Sequence, residues 1–318
     1  MTKHTRVLVT GVTGFVGGAI ARSLAKLGVI DCVGSVRMIE PAKKYFCRLV
    51  EVGELDQLTD WSSALNGRQV VIHAAARTHI MKGRGGKPQA EYHKVNVDGT
   101  LNLARQAASA GVKRFIFISS IKVNGEQTSL GKPFTADDMP APEDAYGMSK
   151  LEAEQGLQAL AIQTGMEVVI IRPPLVYGPG VKGNFASMVR LVKKGVPLPL
   201  GSVNNQRTLV ALDNLVDLIL TCINHPAAAN QVFLAGDGQD LSTTELLSGV
   251  AKAIGKPSRL VPVPAGLLMT GAKLLNKKSV VQRLLGSLQV DITKAREILG
   301  WNPPISVNEG LKRCFTDA

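Results

Sequence analysis

Residues 7–28 read VLVTGVTGFVGGAIARSLAKLG, and this stretch decides the fold. Val7–Thr10 is a short apolar run, which predicts a buried strand. Phe15–Leu27 is rich in alanine and leucine and is followed by Gly28, which predicts a helix that ends at that glycine. The stretch is therefore interpreted as a strand, a tight turn and a helix.

The turn between this strand and this helix carries three glycines, each three residues from the next. One glycine permits the tight turn, one lets the backbone approach a pyrophosphate, and one lets the helix pack closely on the strand. The helix N-terminus offers free N–H groups and a partial positive charge to the phosphates. We therefore predict a dinucleotide site, and the loop residues assigned to the cofactor are Gly11, Thr13, Gly14, Phe15, Val16 and Gly17.

Strands and helices continue to alternate along the chain as far as Arg172. Strands are predicted over Ile30–Val36, Val70–His73, Phe115–Ile118 and Val168–Ile171, and helices over Val95–Ala110 and Tyr146–Gln163. Such alternation is typical of right-handed crossovers and a parallel sheet. We predict an α/β fold built on a Rossmann-type doubly wound parallel sheet.

After Arg172 proline and glycine become frequent, and the predicted helices are shorter. These helices are expected over 213–224, 243–255, 264–275 and 293–299. We interpret this part as a smaller C-terminal α/β substrate lobe. The predicted boundaries are a dinucleotide-binding domain over 1–175, to which 207–235 returns, and a substrate lobe over 176–206 and 236–318.

Composition limits the classes of partner. The 318 residues include 37 Lys and Arg against 25 Asp and Glu, a net charge of +12 that favours anionic ligands. The basic residues form no long tract and aromatic residues are only 4%, so we expect no nucleic-acid partner. Four scattered cysteines indicate reduced thiols in a cytoplasmic protein, with no metal site. We predict no targeting segment and no membrane span, because no long apolar run is found.

The end of the second predicted strand bears on the choice of cofactor. The stretch Gly34–Arg37 has no carboxylate to accept bonds from a ribose 2′-hydroxyl. Arg37 can instead bind a 2′-phosphate through its guanidinium group. Asp31 and Glu40 lie close enough in the sequence to leave NAD open. We expect NAD or NADP, with NADP favoured and Arg37 as a cofactor-binding residue.

A tyrosine and a lysine, Tyr146 and Lys150, lie four residues apart at a predicted helix start and share one face. A neighbouring ammonium and an oxidised nicotinamide should lower the pKa of this tyrosine from about 10, so that it can exchange a proton with a substrate hydroxyl. Ser120 follows a buried strand at the carboxyl edge, where it can hydrogen-bond the reacting oxygen. We predict Ser120, Tyr146 and Lys150 as catalytic residues, the last two also touching the cofactor.

With these motifs the chain resembles the extended short-chain dehydrogenase/reductase family, which includes nucleotide-sugar epimerases and dehydratases. The resemblance covers nearly the whole length. It also rests on HAAA at 73–76, NVDGT at 96–100, SSIKVNG at 119–125, RPPLVYGPG at 172–180, Arg207 with Asp213-Asn214, and Asp291 with LGWNP at 299–303. It implies cofactor contacts at Ala74, Ala75 and Asn96, and substrate contacts at Ser120, Asn184, Phe185 and Arg207.

One departure from the family pattern narrows the chemistry. Family dehydratases carry an Asp-Glu pair directly after the active-site serine or threonine, and here Ile121 and Lys122 can act neither as acid nor as base. The resemblance implies hydride transfer at C4 of a UDP-hexose or UDP-N-acetylhexosamine by a UDP-sugar 4-epimerase of surface polysaccharide biosynthesis, expected to be a homodimer. An NADPH-dependent 4-keto reductase of a UDP-4-keto-6-deoxy-hexosamine and a non-catalytic dinucleotide sensor remain alternatives.

Overall fold

One parallel sheet organises the larger part of the molecule, called the large-sheet half below. The computed structural model describes residues 5–28, 30–40, 45–78, 88–274 and 284–316. Seven strands form the sheet: β1 Thr5–Thr10, β2 Ile30–Val36, β3 Arg48–Glu51, β4 Val70–His73, β5 Arg114–Ile118, β6 Glu167–Arg172 and β9 Val232–Leu234. Their order is β3-β2-β1-β4-β5-β6-β9, and every neighbouring pair is parallel. The predicted Rossmann-type fold is thus confirmed.

Helices cover both faces of this sheet. The helices are α1 Phe15–Leu27, α2 Ser62–Leu65, α3 Pro88–Tyr92, α4 Thr100–Ser109, α5 Ala145–Thr164, α6 Gly183–Lys194, α7 Leu212–Asn224, α8 Thr243–Ala253, α9 Ala265–Leu274, α10 Thr293–Leu299 and α11 Val307–Arg313. Alternate side chains of β1 point to opposite faces. Val7 packs in the cluster that includes α1 and α7, and Leu8 packs in the cluster that includes α4 and α5.

A second, smaller sheet has three strands, β7 Leu175–Tyr177, β8 Arg207–Ala211 and β10 Asp240–Leu241. The order is β10-β8-β7, with β7 and β8 parallel and β10 antiparallel to β8. A separate apolar cluster joins this sheet to α6, α8 and α11. Within the segment 207–235, β8 belongs to this small sheet, whereas α7 packs on α1 and β9 lies at the edge of the large sheet.

The structure differs from the predicted elements at the start of one helix, at one short strand and at one additional helix. The helix predicted over Val95–Ala110 begins as a π-helix over His93–Gly99 before α4 continues it. β3 is only four residues long, and its exposed and half-buried side chains do not alternate, so the sequence did not predict this strand. The sequence did not predict α6 either, because this helix follows Lys182, whose side chain does not cap it. Residue 275, the end of one predicted helix, lies outside the described residues. No helix in the described ranges has the length and hydropathy to cross a bilayer.

Candidate active site

The glycine loop between β1 and α1 is shaped to receive a ligand against bare backbone. Gly11 has φ +70°, a left-handed conformation that favours glycine. A Cβ on Gly11 would stand 2.8 Å from the backbone nitrogen of Ala75, and a Cβ on Gly17 would overlap the carbonyl oxygen of Gly11. These two positions therefore admit only glycine, for the two reasons that the sequence pattern predicts: a tight turn and close helix packing.

The N-terminus of α1 carries no competing group. Gly14 is its N-cap in an extended conformation, and no side chain caps the helix. The first turn has no acidic residue, and Thr13 and Gly14 are exposed. First-turn N–H groups lack partners within a helix and attract anions. The loop and helix start therefore fit the pyrophosphate of a dinucleotide.

A buried histidine fixes the opposite wall of this loop. The Nδ1 atom of His73 lies 2.8 Å from Thr10 Oγ1, and its Nε2 atom lies 3.0 Å from Thr100 Oγ1. Burial lowers the pKa of His73 to about 3, so the ring is neutral and one nitrogen donates while the other accepts. Thr10 Oγ1 also accepts from the backbone N–H of Ala75 at 3.1 Å, which places Ala75 against Gly11.

Arg37 lies just after β2, at the carboxyl edge that also carries the glycine loop. Its Nη1 atom is 3.3 Å from Glu54 Oε1, and the two side chains are 73% and 71% exposed. An exposed ion pair of this kind contributes only about 0–1 kcal/mol. The guanidinium group can therefore exchange Glu54 for a ligand phosphate at little cost.

The first two turns of α5 carry Tyr146 and Lys150, and the lysine ties the helix to β5. Lys150 is buried, its Nζ atom donates to the carbonyl oxygen of Ile118 at 2.7 Å, and it lies 4.1 Å from the centroid of the Phe117 ring. Ser120, two residues after Ile118, is half-buried and has an extended backbone. The structure thus places Lys150 and Ser120 at the carboxyl end of β5, and Tyr146 lies one turn before Lys150 on α5.

The pKa values of Tyr146 and Lys150 are both shifted by burial, and the shift of Tyr146 differs from the sequence-based expectation. Burial lowers the pKa of Lys150 to about 7, against an opposing effect of Glu154. Burial, then Asp144 and Tyr92, raise the pKa of Tyr146 above its usual value. The prediction of a lowered tyrosine pKa is therefore wrong for the protein side chains alone, and a lowering depends on the positive charge of an oxidised nicotinamide.

Asn96, predicted as a cofactor contact, holds the segment next to Lys150 through its side-chain amide. Its Oδ1 atom accepts from the backbone N–H of Arg77 at 2.8 Å, and its Nδ2 atom donates to Ser149 Oγ at 3.0 Å. Ser149 Oγ in turn donates to the carbonyl oxygen of Tyr146 at 2.8 Å. Because Asn96 lies in the π-helix, this extra-wide turn aims a buried amide at the start of α5.

A buried ion pair next to Ser119, beside the predicted catalytic residues, was not predicted from the sequence. Glu154 and Arg172 have side chains only 2% and 5% exposed, with Arg172 Nη2 2.6 Å from Glu154 Oε2. Ser119 Oγ also donates to Glu154, and Arg172 Nη1 donates to Asn124 Oδ1 at 3.0 Å. The only signal in the sequence is that Glu154 lies four residues after Lys150, on the same helical face.

Of the predicted substrate residues, Ser120 follows β5 of the large sheet, and the other three lie on the smaller lobe. Asn184 is exposed in the first turn of α6. Phe185 is fully buried and its ring stacks on Tyr177 with centroids 5.6 Å apart, so only its backbone can meet a ligand. Arg207 is half-buried at the start of β8 and its Nη1 atom donates to the carbonyl oxygen of Gly286 at 2.9 Å.

Comparisons with known proteins identify the family of this chain. Residues 7–236 match the NAD dependent epimerase/dehydratase family. The chain is 52% identical over 308 residues to a UDP-glucose 4-epimerase of Vibrio cholerae, which covers 96% of this chain and 93% of that protein.

Solved structures share the same fold. A UDP-glucuronic acid 4-epimerase from Bacillus cereus in complex with NAD superposes with a TM-score of 0.77 at 22% identity, covering 97% of each chain. A UDP-glucose 4-epimerase from Thermotoga maritima with UDP-glucose gives 0.75 at 25% identity, covering 98% of this chain and 97% of that one. The chain belongs to the NAD-dependent epimerase/dehydratase family of extended short-chain dehydrogenase/reductase enzymes.

Proposed function

We propose that this enzyme is a UDP-sugar 4-epimerase that inverts C4 of a UDP-hexose or UDP-N-acetylhexosamine. The observation that carries the proposal is the bond of Lys150 to the last residue of β5, two residues before Ser120, with Tyr146 one turn earlier on α5. The 52% identity to a UDP-glucose 4-epimerase supports it. A non-catalytic dinucleotide sensor has no need of these three side chains together.

In this proposal the side chains of the chain handle the proton of the C4 hydroxyl. Tyr146 Oη accepts that proton and later returns it, while Ser120 Oγ hydrogen-bonds the same sugar oxygen. The bound dinucleotide supplies the acceptor and donor of hydride. The residues that would hold it are the glycine loop, Ala74, Ala75 and Lys150, the last braced through Asn96 and Ser149.

The substrate diphosphate is assigned to Arg207 and to the start of α6 at Asn184. Burial lowers the pKa of Arg207, because a guanidinium group half removed from water is less well solvated. An anionic diphosphate would restore that lost solvation through charge-assisted hydrogen bonds. This assignment gives the smaller lobe the role of holding the nucleotide while the large-sheet half performs the chemistry.

A second candidate, the NADPH-dependent 4-keto reductase, is favoured by one observation. No carboxylate of the stretch Gly34–Arg37 is available to a ribose 2′-hydroxyl, and Arg37 offers a guanidinium group whose pair with Glu54 is exposed. A preference for NADP(H) accordingly remains a proposal. The role in surface polysaccharide synthesis, the cytoplasmic location and the homodimer also remain predictions from the sequence.

The function is tested by incubating the purified protein with UDP-glucose, UDP-galactose and their N-acetyl counterparts, with NAD and without added reductant. We expect at least one of these sugars to yield its C4 epimer, read from the anomeric proton signals by NMR. Tyr146→Phe under the same conditions is the control for a contaminating epimerase. Absence of any epimer, together with NADPH oxidation by a UDP-4-keto-6-deoxy-hexosamine, would instead support the reductase.

A further inference from the structure

Lys122 stands where family dehydratases carry a glutamate, and it has a defined place in this fold. Its Nζ atom lies 2.5 Å from Asp144 Oδ2 and 2.7 Å from Glu126 Oε1. The lysine side chain is 35% exposed, so the pair with Asp144 is partly removed from solvent. An ammonium between two carboxylates is a structural element here, not a solvated surface charge.

Asp144 is the residue that begins α5. Its backbone is extended, and its Oδ1 atom accepts from the backbone N–H of Gly147 at 2.7 Å, which caps the helix. The carbonyl oxygen of Lys122 is so close to this turn that a Cβ on Gly147 would stand 2.8 Å from it. Both the backbone and the side chain of Lys122 therefore contact the turn that carries Tyr146.

Lys122 also reaches the catalytic serine. Its backbone N–H donates to Ser120 Oγ at 3.3 Å, in the short 3-10 helix that follows β5. One residue thus links the serine segment to the helix start that bears the tyrosine. The serine segment follows β5, and the turn that bears the tyrosine begins α5. The backbone of Lys122 contacts both segments, and its ammonium group pairs with Asp144 and Glu126.

We propose that Lys122 is a positioning residue for the proton transfer at C4: it fixes Asp144 at the start of α5 and balances the negative charge that Asp144 places beside Tyr146. This inference rests on the proposed function, because it assigns Lys122 to the same proton-handling site. It acts through Asp144 and needs no contact with the sugar.

The titration of the neighbouring groups supports this role. Burial alone would raise the pKa of Asp144, but its bonds to Lys122 and to the Gly147 N–H lower that pKa below its usual value, so Asp144 is ionised at neutral pH. After burial, Asp144 is the largest cause that raises the pKa of Tyr146. Removing the ammonium of Lys122 would leave the Asp144 charge unbalanced and should raise the tyrosine pKa further.

The other charged or titratable groups near Tyr146 are few in the described residues. Tyr92 of α3 meets the ring edge-on at 5.9 Å, and His93 of the π-helix faces Glu152 at 3.4 Å instead. Asp144 and Tyr92 act on the pKa of Tyr146, Lys122 and Glu126 surround the Asp144 carboxylate, and Lys150 lies one turn further along α5. Lys122→Met changes one of these charges and leaves the others in place.

The experiment titrates Tyr146 directly. The ultraviolet absorbance of tyrosinate is followed against pH in NAD-saturated protein, and the Tyr146→Phe spectrum is subtracted. We expect Lys122→Met to raise the Tyr146 midpoint by about 0.5–1 pH unit and Lys122→Arg to restore it. The matched control is Lys294→Met, which breaks the ion pair with Asp137, 2.7 Å long, and should leave the midpoint unchanged. An unchanged midpoint in Lys122→Met overturns the proposal.

A second variant keeps the proposal testable if Lys122→Met does not fold. Asp144→Asn removes the charge but keeps a residue that caps helices well, so α5 should still form. We expect its Tyr146 midpoint to fall below that of the wild type, and a midpoint at or above the wild-type value contradicts the proposal. The titration requires no turnover, so a protein that epimerises no UDP-sugar disproves the proposed function without deciding the role of Lys122.

Discussion

The large-sheet half and the smaller lobe differ in how they hold the groups that face a ligand. In the large-sheet half Lys150 is buried and bonded to a strand carbonyl, and Glu154 and Arg172 form a pair almost free of solvent. In the smaller lobe Asn184 is exposed and Arg207 is only half-buried. The difference teaches that the large-sheet half holds its buried polar groups in a solvent-free network, whereas the groups of the smaller lobe that we assign to the nucleotide remain in contact with solvent.

The largest expected effect tests this contrast in burial. Glu154→Ala would leave the buried guanidinium of Arg172 without its carboxylate, and loss of one partner of a buried pair costs about 3–5 kcal/mol. The matched change in the smaller lobe is Glu309→Ala, which breaks an exposed pair with Arg313 and should cost under about 1 kcal/mol. Urea unfolding measures the free energy of unfolding of both variants, and equal losses of stability would contradict the proposed difference between the two regions.

The pH dependence of the free energy of unfolding tests whether Lys150 is uncharged when buried. Its pKa is lowered from 10.5 to about 7 in the folded chain, so between these pH values the unfolded chain binds a proton that the folded chain does not. The wild type should therefore gain stability with rising pH, by up to about 1.4 kcal/mol per pH unit, relative to Lys150→Met. A wild-type minus variant difference that stays flat from pH 7 to 10.5 would show that Lys150 is charged when buried.

The smaller lobe is tested through Arg207. Arg207→Ala should weaken UDP-sugar binding by about 1.5–3 kcal/mol, because charge-assisted bonds to the diphosphate are lost. Binding of NAD, which is assigned to the other half, should hardly change. Titration calorimetry with each ligand separates the two, and equal weakening of both would mean that the variant is misfolded or that the lobes do not divide the ligands in this way.

The smallest effect is expected at Arg37. Arg37→Ala should reduce affinity for NADPH relative to NADH by about 0.5–1.5 kcal/mol, whereas Glu54→Gln, which releases the guanidinium, should increase it by a similar or smaller amount. Dissociation constants from the quenching of protein fluorescence by each cofactor provide the comparison. A wild type that prefers NADH removes Arg37 from the cofactor site.

The parts of the molecule that the sequence predicted are those with local causes. The strand, turn and helix around Gly11 and Gly17 depend on a φ above zero and on close backbone contacts, which only glycine supplies. The spacing of Tyr146 and Lys150 follows from the helical repeat alone. The alternation of strands and helices likewise predicted the parallel sheet that the structure contains.

The features that were missed depend on contacts between distant segments. Glu154 and Arg172 belong to a helix and a strand, and only the packing of α5 on β6 pairs them. The raised pKa of Tyr146 follows first from burial, which depends on how other segments pack around its ring, and then from Asp144 two residues before it. Phe185, predicted as a substrate residue, is buried and stacks on Tyr177, because α6 packs this ring into the apolar cluster of the smaller lobe.

The most direct test of the account is the rate of C4 epimerisation by Tyr146→Phe. The substitution removes one hydroxyl, so the fold and NAD affinity should be preserved, as circular dichroism and cofactor titration would verify. Loss of the proton-transfer group should lower turnover of the accepted UDP-sugar by about 10²–10⁴-fold. Turnover close to that of the wild type, in protein shown to be folded and to bind NAD, would contradict the assignment of Ser120, Tyr146 and Lys150 as the reacting centre.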